Sequence, residues 1–501
     1  MAEATRIGCW LILSLAASAC GAEKSPPLYP GNADLLLGAS PATAPAPASG
    51  PMDGYLLIAP MRQRLTYLID GSGRTVHRWK SDYFPGSSTR LLDDGSILRC
   101  CRDPRWAKLT SGGQGGRIQR ISWEGEIVWD HAIGGDGYLQ HHDAVPMPNG
   151  NVLLIAWETK SRDEAIARGR APELLATAEF WPDCLLEVRP EGLSGGQIVW
   201  EWHAWDHVIQ DFDPGREFYG DVPAHPERID INGDRQATAT SAEEADARAA
   251  QMAALGYIGG DEGETQEAAA EDPGSEVRNA DWLHTNSIDY HAGLDLIVVS
   301  VLRCNEAWVI DHSTTTAEAA GSSGGRHGRG GDLLYRWGNP RAHGSGGVQD
   351  QQLFAQHHVQ WIPDGLPGGG DFICFNNGEG RPDGDYSSIE AWRMPISAGG
   401  RISPGPARPD WRYVAARKED FYAPLLSGVQ RLANGSTLIT EGTTGRLIEV
   451  ASDGRVVWEW SRTEDDEADE DKMGWTRTPP RAQFRAFKFA PGHPALRKLK
   501  P

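Results

Sequence analysis

Two sequence patterns alternate along most of this chain, and their alternation constrains the fold more than any other feature. The first pattern is an apolar strand, a turn, and a second apolar strand. Asn-Gly or Asp-Gly between apolar runs predicts a β-hairpin, because both turn residues need a positive φ. Clear copies occupy residues 91–98, 145–155 and 429–439, and looser copies occupy 288–301 and 359–375. With the opening strand at 54–59, the pattern occurs six times.

The second pattern is a strand, a polar turn, and a strand that ends in tryptophan. It interleaves with the first pattern at residues 69–79, 121–129, 188–202, 309–337, 389–411 and 450–460. Six units of four strands predict an all-β fold, a six-bladed β-propeller. Its tryptophans would fill the wide gaps between blades, which explains why 19 Trp outnumber 12 Tyr and 11 Phe. A pair of β-sandwiches is the alternative, but it gives no reason for six alternations.

The repeat also divides the chain into segments. The propeller is expected over residues 53–462, with an insertion at about 206–279 that is partly helical or disordered. Inside the insertion, the Ala- and Glu-rich stretch 241–255 predicts a helix, and 259–277 has the composition of an unstructured segment. Residues 463–501 are expected to form an acidic loop, with its acidic run at 464–471, and a C-terminal segment.

The first twenty residues have the pattern of an export signal. Arg6 precedes an apolar stretch at 9–17 that is too short to span a bilayer, and Ala17-Ser18-Ala19-Cys20 follows. This ending is similar to a bacterial lipoprotein signal, which predicts lipidation of Cys20 and a periplasmic or outer-membrane lipoprotein. Cleavage by an ordinary signal peptidase is the alternative. Residues 21–52, rich in Pro, Ala and Ser, are expected to be a flexible tether.

The net charge of −21 argues against nucleic acid and anionic membrane surfaces as partners, so membrane contact is expected only through the lipid anchor. Most of this charge is local. Residues 241–276 contain ten acidic residues and one basic residue, and 463–472 contain seven and one, which leaves −6 for the remainder. A charge that small does not exclude a small anionic ligand. The five cysteines outside the signal have no regular spacing, which predicts buried apolar side chains with at most one disulfide.

Three histidines occupy one register in the hairpin repeat. His142 lies seven residues before the turn residue Asn149, His284 eight before Ala292, and His357 seven before Asp364. Equivalent positions at the start of inner hairpins in three consecutive blades would place three imidazoles at one end of the central channel. The same offset in two other blades gives Ser87 and Ser427. A single histidine there would be a hydrogen-bonded turn residue, but three at one register indicate a site.

Several polar residues accompany these histidines. Asn286 lies two positions after His284, His358 is adjacent to His357, and Asn377 and Arg381 follow a short apolar strand. A guanidinium at a channel mouth suits a tetrahedral oxyanion, which it holds through two parallel hydrogen bonds. Three histidines could instead hold zinc or copper, although the spacings that make metal motifs specific are absent. The oxyanion reading requires no cofactor.

Between about residues 54 and 460 the chain resembles a known family. The segments that carry the resemblance are His141-His142-Asp143, the block 281–290, Gln356-His357, Asn376-Asn377-Gly378 leading to Arg381, and Phe421-Tyr422-Ala423-Pro424. They resemble the bacterial arylsulfotransferases, six-bladed propellers that move a sulfuryl group between phenols without a nucleotide donor. The resemblance implies an aryl sulfate and a phenol as small-molecule partners.

The same resemblance implies a ping-pong mechanism through a sulfurylated histidine, with two further histidines and an arginine on the sulfuryl oxygens. By motif, His284, His357 and Arg381 take the positions that hold the oxyanion. The family's nucleophilic histidine stands three residues before Tyr-x-Pro, and here that position is Glu419, beside Tyr422. Glu419 and Tyr422 are therefore expected in the substrate site, and either His142 is the nucleophile or the chain binds or hydrolyses something else.

Three functions follow as hypotheses. The first is an arylsulfotransferase-like enzyme, with His142, His284, His357 and Arg381 as catalytic residues and Asn286, Asn377 and His358 contacting substrate. The second is a metal-dependent hydrolase or oxidase on the three histidines. The third is a propeller that binds a carbohydrate or protein partner without catalysis.

Overall fold

The hairpin signals correspond to six four-stranded antiparallel sheets arranged as a β-propeller. The computed structural model describes residues 50–236, 250–251, 255, 280–462 and 481–499, apart from 107, 108, 110, 136, 176 and 398. The predicted fold class is confirmed. The signal at 1–20 with Cys20, most of the tether at 21–52, most of the helix at 241–255, the segment 259–277 and the acidic run 464–471 lie outside the described residues.

The first three blades follow the chain from its N-terminal side. Blade one contains β1 (Tyr55–Pro60), β2 (Leu65–Asp70) and β3 (Thr75–Lys80), and blade two contains β4 (Pro85–Leu91), β5 (Ile97–Arg102), β6 (Gly116–Ile121) and β7 (Ile127–Ala132). Blade three contains β8 (Tyr138–Pro146) and β9 (Val152–Glu158), then, after the separate short pair β10 (Lys160–Ser161) and β11 (Glu179–Phe180), β12 (Asp183–Glu191) and β13 (Gly195–His203). The parallel pair β14 (Val208–Ile209) and β15 (Ile229–Asp230) follows blade three.

Blade four contains β16 (Thr285–His291), β17 (Leu296–Val301), β18 (Glu306–Asp311) and β19 (Tyr335–Trp337), and blade five β20 (His357–Trp361), β21 (Phe372–Asn376), β22 (Ser388–Trp392) and β23 (Trp411–Tyr413). Blade six contains β24 (Gly428–Arg431), β25 (Thr437–Glu441), β26 (Arg446–Val450) and β27 (Val456–Trp460), and the last strand is β28 (Gln483–Phe489).

Two short helices, α1 (Arg162–Ala167) and α2 (Thr316–Ala319), lie in loops, each with a capping box at its start. The 3-10 turns are Pro104–Trp106, Pro172–Leu174, Ala204–His207, Val222–Ala224, Gly233–Gln236, Leu302–Cys304, Pro340–His343, Val348–Asp350, Lys418–Asp420 and Pro494–Leu496.

The C-terminal strand closes the ring. The strand order of blade one is β28-β1-β2-β3, so β28 is its innermost strand and β1 is the second. The sequence interpretation ended the propeller at residue 462 and counted the strand at 54–59 as an inner one. It missed this closure because the pairing of Leu57 with Phe487 joins residues at opposite ends of the chain, and no local pattern records it.

Apolar clusters fill each of the six interfaces between neighbouring blades. The outer-strand tryptophans add bonds from one blade to the next, as the sequence pattern suggested. The indole N–H of Trp129 donates to the Gly195 carbonyl at 2.8 Å, and that of Trp202 donates to the Gly331 carbonyl at 2.7 Å. Each tryptophan therefore buries a large ring and satisfies its one donor on the next blade.

The described part of the insertion packs against the ring, and Ala250 and Gln251, within the predicted helix 241–255, are helical. Between Ala204 and Asp234 it forms 3-10 turns and the β14–β15 pair, and Val208, Ile229 and Ile231 are buried in the cluster between blades three and four. All five cysteines in the described chain are buried, and none is in a disulfide. No helix in the described ranges is long and apolar enough to cross a membrane.

Four blades meet at one carboxylate in the channel. Asp143 on β8 is fully buried and accepts from Arg485 of β28 at 2.5 Å, from Arg90 of β4 at 3.3 Å, and from the backbone N–H of Ile288 on β16 at 3.2 Å. Burial would raise the pKa of Asp143, but the two guanidinium groups outweigh it and hold the pKa below its ordinary value. The carboxylate thus connects blades one to four.

Asp143→Asn is expected to lower the free energy of unfolding by about 3–5 kcal/mol, because it leaves the buried Arg485 and the partly buried Arg90 without their counter-charge. Asp70→Asn is the matched control, since Asp70 pairs with the exposed Arg74 and should change the free energy little. Denaturant unfolding of both variants measures the difference. Equal effects would show that Asp143 is not a junction between blades.

A buried histidine joins blades three and four in a second ionic contact. His312 lies between Asp295 Oδ1, 2.7 Å from its Nδ1, and Glu187 Oε2, 3.0 Å from its Nε2. Burial alone would lower the pKa of His312, but the two carboxylates outweigh it and raise the pKa above 6.5. The pKa values of Glu187 and Asp295 are lowered to about 2, so both stay ionised near neutral pH.

Because its folded-state pKa is raised, His312 contributes stability that is complete below about pH 6.5 and is lost as pH rises through the raised value. The difference in melting temperature between the wild type and His312→Gln is therefore expected to shrink between about pH 6 and pH 9. Thermal unfolding across that range measures it, with His225→Gln, at an exposed histidine, as the control. A constant difference would contradict the charged bridge.

Candidate functional site

Inner strands carry a strained backbone position near their first residues. Positive φ values occur at Ser87 (95°), His142 (52°), His284 (51°), His358 (54°) and Ser427 (88°). In blades two to five the pairing register of the inner hairpin also shifts there, as at a β-bulge. A left-handed conformation costs a non-glycine residue about 1–2 kcal/mol, and such strain concentrates at functional sites. The register read from the sequence agrees, except that in blade five the residue with positive φ is His358.

The three predicted histidines lie together at this end of the channel, and we call them the histidine layer: His142, His284 and His357. The ring centroids of His142 and His284 are 4.6 Å apart, with the planes at 78°. Burial, with the charges of His284 and Arg485, lowers the pKa of His357 to about 3, although the hydrogen bond to Asn377 acts in the opposite direction. All three side chains are buried, and His284 is the most accessible at 8%.

His284 is held by a buried carboxylate. Its Nδ1 lies 2.5 Å from Asp281 Oδ2, which also accepts from the Ser111 hydroxyl at 2.6 Å, while Asp281 Oδ1 accepts from Trp157 Nε1 at 3.0 Å. Burial would raise the pKa of Asp281, but the charges of His284 and Arg303 hold it well below its ordinary range. The ionised carboxylate places the proton of His284 on Nδ1, so Nε2 is the atom left for a ligand.

His357 is held by neutral acceptors instead. Its Nδ1–H donates to Asn377 Oδ1 at 2.9 Å and to the Ala355 carbonyl at 3.2 Å. The Asn377 amide is fixed in turn, because its Nδ2 donates to the carbonyls of Ala423 and Leu426. The lone pair of His357 is therefore on Nε2, a buried atom without a hydrogen bond to any described residue.

His142 is packed against backbone and a second histidine. Its Nδ1 is 2.7 Å from the Nδ1 of His141, whose ring stacks on Trp157. Its backbone N–H donates to the Gly113 carbonyl at 2.7 Å, and a Cβ added at Gly113 would lie 2.3 Å from ring atoms of His142. Burial, followed by the charges of His284 and His141, lowers the pKa of His142 well below its ordinary value. His142 is thus a neutral imidazole covered on one side.

The structure does not bring Arg381 to the histidine layer. Its Nε donates to the Tyr386 carbonyl at 3.1 Å, its Nη2 lies 3.7 Å from Glu390 Oε1, and its guanidinium lies 4.5 Å from the Tyr386 ring centroid. Glu390 is a fully buried carboxylate that accepts from Arg412 at 2.7 Å and also attracts the Arg381 guanidinium within blade five. The described contacts of Arg381 are all within that blade.

Two other arginines lie beside the histidines, and the sequence interpretation missed both. Arg303 follows β17, its backbone N–H donates to the Leu283 carbonyl at 3.1 Å, and its charge reaches Asp281. Arg485 on β28 donates from Nη2 to the Asn286 carbonyl at 2.7 Å and contributes to the lowered pKa values of His142 and His357. The hairpin register of blade four could have indicated Arg303. Thr285, the residue after His284, pairs with Val301, which is two residues before Arg303. No local signal indicated Arg485.

Asn286 and His358 line the channel below the layer. Asn286 Nδ2 donates to the Gln356 carbonyl at 2.8 Å, and its Oδ1 is buried without a hydrogen bond to a described residue. His358 Nδ1 accepts from the backbone N–H of Val429 at 3.0 Å, and its ring lies 5.9 Å from the Phe487 ring. His358 therefore packs between blades five and six.

Glu419 lies at the surface, and Tyr422 is partly buried beside Ala423, whose carbonyl accepts from Asn377. Glu419 is exposed on the 3-10 turn Lys418–Asp420, and the Tyr422 hydroxyl is 3.4 Å from Asp385 Oδ2 at the surface. The turn exposes Glu419 because the residue that it buries is Phe421, at 1% exposure. The carboxylate does not take the place of a histidine in the layer.

The chemistry of this end of the channel is that of an anion site. It combines three imidazoles with two guanidinium groups in a buried setting, where charge-assisted hydrogen bonds are strong. Within the described ranges, no group of three or more His, Cys, Asp and Glu side chains is arranged to hold a metal ion. The metal alternative therefore gains no support from the geometry. The fold and site define a propeller with histidine and arginine side chains together at one end of its channel.

Comparison with known proteins narrows this class. The family model described as "Arylsulfotransferase (ASST)" matches residues 46–473, and the chain belongs to this family. It is 24% identical over 435 residues to the arylsulfate sulfotransferase AssT of Escherichia coli O6:H1, strain CFT073. That match covers 83% of this chain but only 61% of the relative, so the chain spans about three fifths of the relative's length.

Similar solved structures are more distant. A Bacteroides caccae protein of unknown function is 12% identical, with a TM-score of 0.41, 87% of this chain covered and 98% of that chain. Virginiamycin B lyase from Staphylococcus aureus is 10% identical, with a TM-score of 0.35 and coverages of 84% and 86%. Scores this low carry no argument about the site.

Gly113→Ala tests the packing on His142, with Gly150→Ala as the matched control. The two glycines have φ values of 81° and 85°, so backbone strain costs an alanine about 1–2 kcal/mol at either position. Only at Gly113 does the new methyl group meet a side chain, because nothing lies within 4 Å at Gly150. We expect Gly113→Ala to lose more stability and to shift the ¹⁵N NMR signals of one buried imidazole. Equal losses with unchanged imidazole signals would contradict this contact.

Proposed function

We propose that this protein transfers a sulfuryl group from an aryl sulfate to a phenol, with His357 as the nucleophile. Membership in the arylsulfotransferase family supports the reaction class. The observation that carries the choice of residue is the hydrogen bonding of His357. Its proton is fixed on Nδ1 by Asn377, and its pKa of about 3 leaves Nε2 with a free lone pair at neutral pH.

The first step forms a covalent intermediate. His357 Nε2 attacks sulfur, an N–S bond forms, and the S–O bond to the aryl group breaks with its electron pair on the phenolate oxygen. The positive charge on the imidazolium is balanced by the sulfonate oxygens and spread through the Nδ1–H···Oδ1 bond to Asn377. The leaving phenolate takes a proton from solvent or from the donor nearest to it, which completes the half-reaction.

The second step reverses the first with another phenol. The acceptor hydroxyl loses its proton, its oxygen attacks sulfur, and the N–S bond breaks with its electron pair returning to His357 Nε2. His284 is suited to take and return this proton, because Asp281 keeps Nδ1 protonated and stabilises the imidazolium that forms. The two phenols therefore exchange the sulfuryl group in turn.

Arg303 and His142 are the groups proposed to hold the sulfuryl oxygens, and His284 joins them once its Nε2 has taken the proton of the acceptor. Arg303 supplies positive charge beside Asp281, the carboxylate that holds His284. His142 is less suited to attack sulfur, since Gly113 covers its ring and His141 takes its Nδ1. Removing one such oxyanion donor typically costs about 10²–10³ in rate.

Export belongs to the same proposal. The signal-like residues 1–20 would direct the chain out of the cytoplasm, and lipidation of Cys20 would anchor it to a membrane through the tether at 21–52. A periplasmic or outer-membrane position would give the channel access to phenolic compounds from outside the cell.

The test is intact-protein mass spectrometry after mixing the purified protein with 4-nitrophenyl sulfate, together with colorimetry of the released 4-nitrophenol. We expect the mass of one sulfuryl group on the protein, mapped to His357, and transfer to added phenol. His357→Gln should abolish the adduct and lower turnover by about 10³-fold or more, and His284→Gln should lower turnover by about 10²-fold. His225→Gln, at an exposed histidine, is the control and should retain turnover.

Other outcomes of this experiment would favour the alternative mechanisms or functions. An adduct on His142 would favour the alternative nucleophile, and turnover without any adduct would favour direct transfer or hydrolysis. Full activity in both the His142→Gln and His284→Gln variants would remove the histidine layer from the reaction. A protein that binds 4-nitrophenyl sulfate without turnover would be the non-catalytic propeller.

A further inference from the structure

A second cavity lies at the other end of the central channel. We call it the lower cavity; its volume is about 250 Å³, and Arg90, Pro146, Asp289, Tyr290, Phe487 and Phe489 line it together with apolar neighbours. These residues are near the ends of the inner strands β4, β8, β16 and β28, whereas the histidine layer is near the strand starts. Four residues along β8 separate His142 from Pro146, which is roughly 13 Å at the rise of a strand.

A layer of charged side chains separates the two ends. Asp143 binds Arg485 on the side of the histidines and Arg90 on the side of the lower cavity. None of the residues that line the lower cavity belongs to the histidine layer. The lower cavity is therefore a distinct space.

Two polar groups stand in the otherwise apolar and aromatic lining. Arg90 uses Nε for the Ala144 carbonyl, at 3.1 Å, and Nη2 for Asp143, while Nη1 makes no hydrogen bond to a described residue. Asp289 accepts through Oδ2 from the backbone N–H of Trp361 at 2.9 Å, and no described side chain donates to its carboxylate. Each group thus has capacity left for a ligand.

Charge and shape indicate what the ligand is. Arg90 and Arg485 balance Asp143 and an ionised Asp289, so the surroundings are neutral in total, and a charged ligand would leave buried charge uncompensated. Burial raises the pKa of Asp289 to about 6, which Arg90 only partly offsets, so this carboxylate gains from a donor. A neutral hydroxyl offers one donor and an acceptor, which matches Asp289 and Arg90 together.

The apolar part of the ligand follows from the walls. Phe487 and Phe489 supply aromatic surface, and the Arg90 guanidinium carbon lies 5.3 Å from the Phe487 ring centroid. A cavity of about 150 Å³ is known to bind benzene, so 250 Å³ has room for one ring with a small substituent.

We infer that the lower cavity binds a single-ring phenol, whose hydroxyl donates to Asp289 and accepts from Arg90 while its ring packs against Phe487 and Phe489. This site is separate from the proposed sulfuryl transfer and does not depend on it. It gives the channel a phenol site at each end if both proposals hold.

The test uses 4-fluorophenol and the full chain with ¹³C-labelled leucine and valine methyl groups. Titration is expected to move the methyl signals of Leu91 and Val145, which line the lower cavity, and the same shifts should occur in His357→Gln. Asp289→Asn should weaken these shifts on the order of tenfold, because it removes a charged acceptor. Asp364→Asn, at an exposed carboxylate, should leave them unchanged.

Several results would overturn the inference. Absence of binding would do so, and so would shifts confined to Leu283 and Leu426 beside the histidine layer, which would place the phenol only at the proposed reaction site. Tighter binding of 4-fluorobenzylamine, 4-fluorobenzoate or fluorobenzene than of 4-fluorophenol would reject the ligand class. If Asp289→Asn does not fold, the methyl shifts of the wild type and the relative affinities of these four ligands still test the inference.

Discussion

The buried carboxylate of Asp143 is the interaction on which the ring depends. It lies on blade three and accepts from blades one, two and four, so the inner strands of four blades share one centre. Buried ion pairs add little net stability against an apolar substitute, but removing one partner is costly. We therefore infer that Asp143 selects one arrangement of the blades rather than adding much net stability. It admits only the arrangement in which Arg485 of the last strand reaches the channel, and that arrangement is the closed propeller.

Local strain in the inner strands follows from the same architecture. Positive φ at His142, His284 and His358 is unfavourable for each residue alone, yet the flanking hairpins determine the backbone and compensate for it. The shift in register at these positions turns side chains that would otherwise alternate across the sheet toward the channel. Three neighbouring blades repeat this device, so their imidazoles converge although more than two hundred residues separate the first from the last.

The sequence predicts the parts of this protein that local rules decide. Asn-Gly and Asp-Gly turns define hairpins, six hairpins define the blades, and equal hairpin lengths place His142, His284 and His357 in one layer. Residues whose position depends on long-range pairing were missed. Arg485 reaches the histidines only because β28 pairs with β1, and nothing local records the contact of Arg381 with Glu390. Glu419 was expected in the site from a neighbouring motif, but the burial of Phe421 turns it outward.

Arg485 links the completion of the fold to the chemistry of the site. The strand that carries it closes blade one, and its guanidinium binds Asp143 on one side and the Asn286 carbonyl on the other. From that position its positive charge adds to burial in lowering the pKa values of His142, His357 and His358. A histidine that attacks sulfur must be neutral, and a histidine beside a fixed guanidinium stays neutral at lower pH than it would alone. Before β28 is in place, the imidazoles would be more hydrated and easier to protonate. The site proposed for sulfuryl transfer therefore acquires a neutral His357 and a nearby positive charge in the same step that closes the ring.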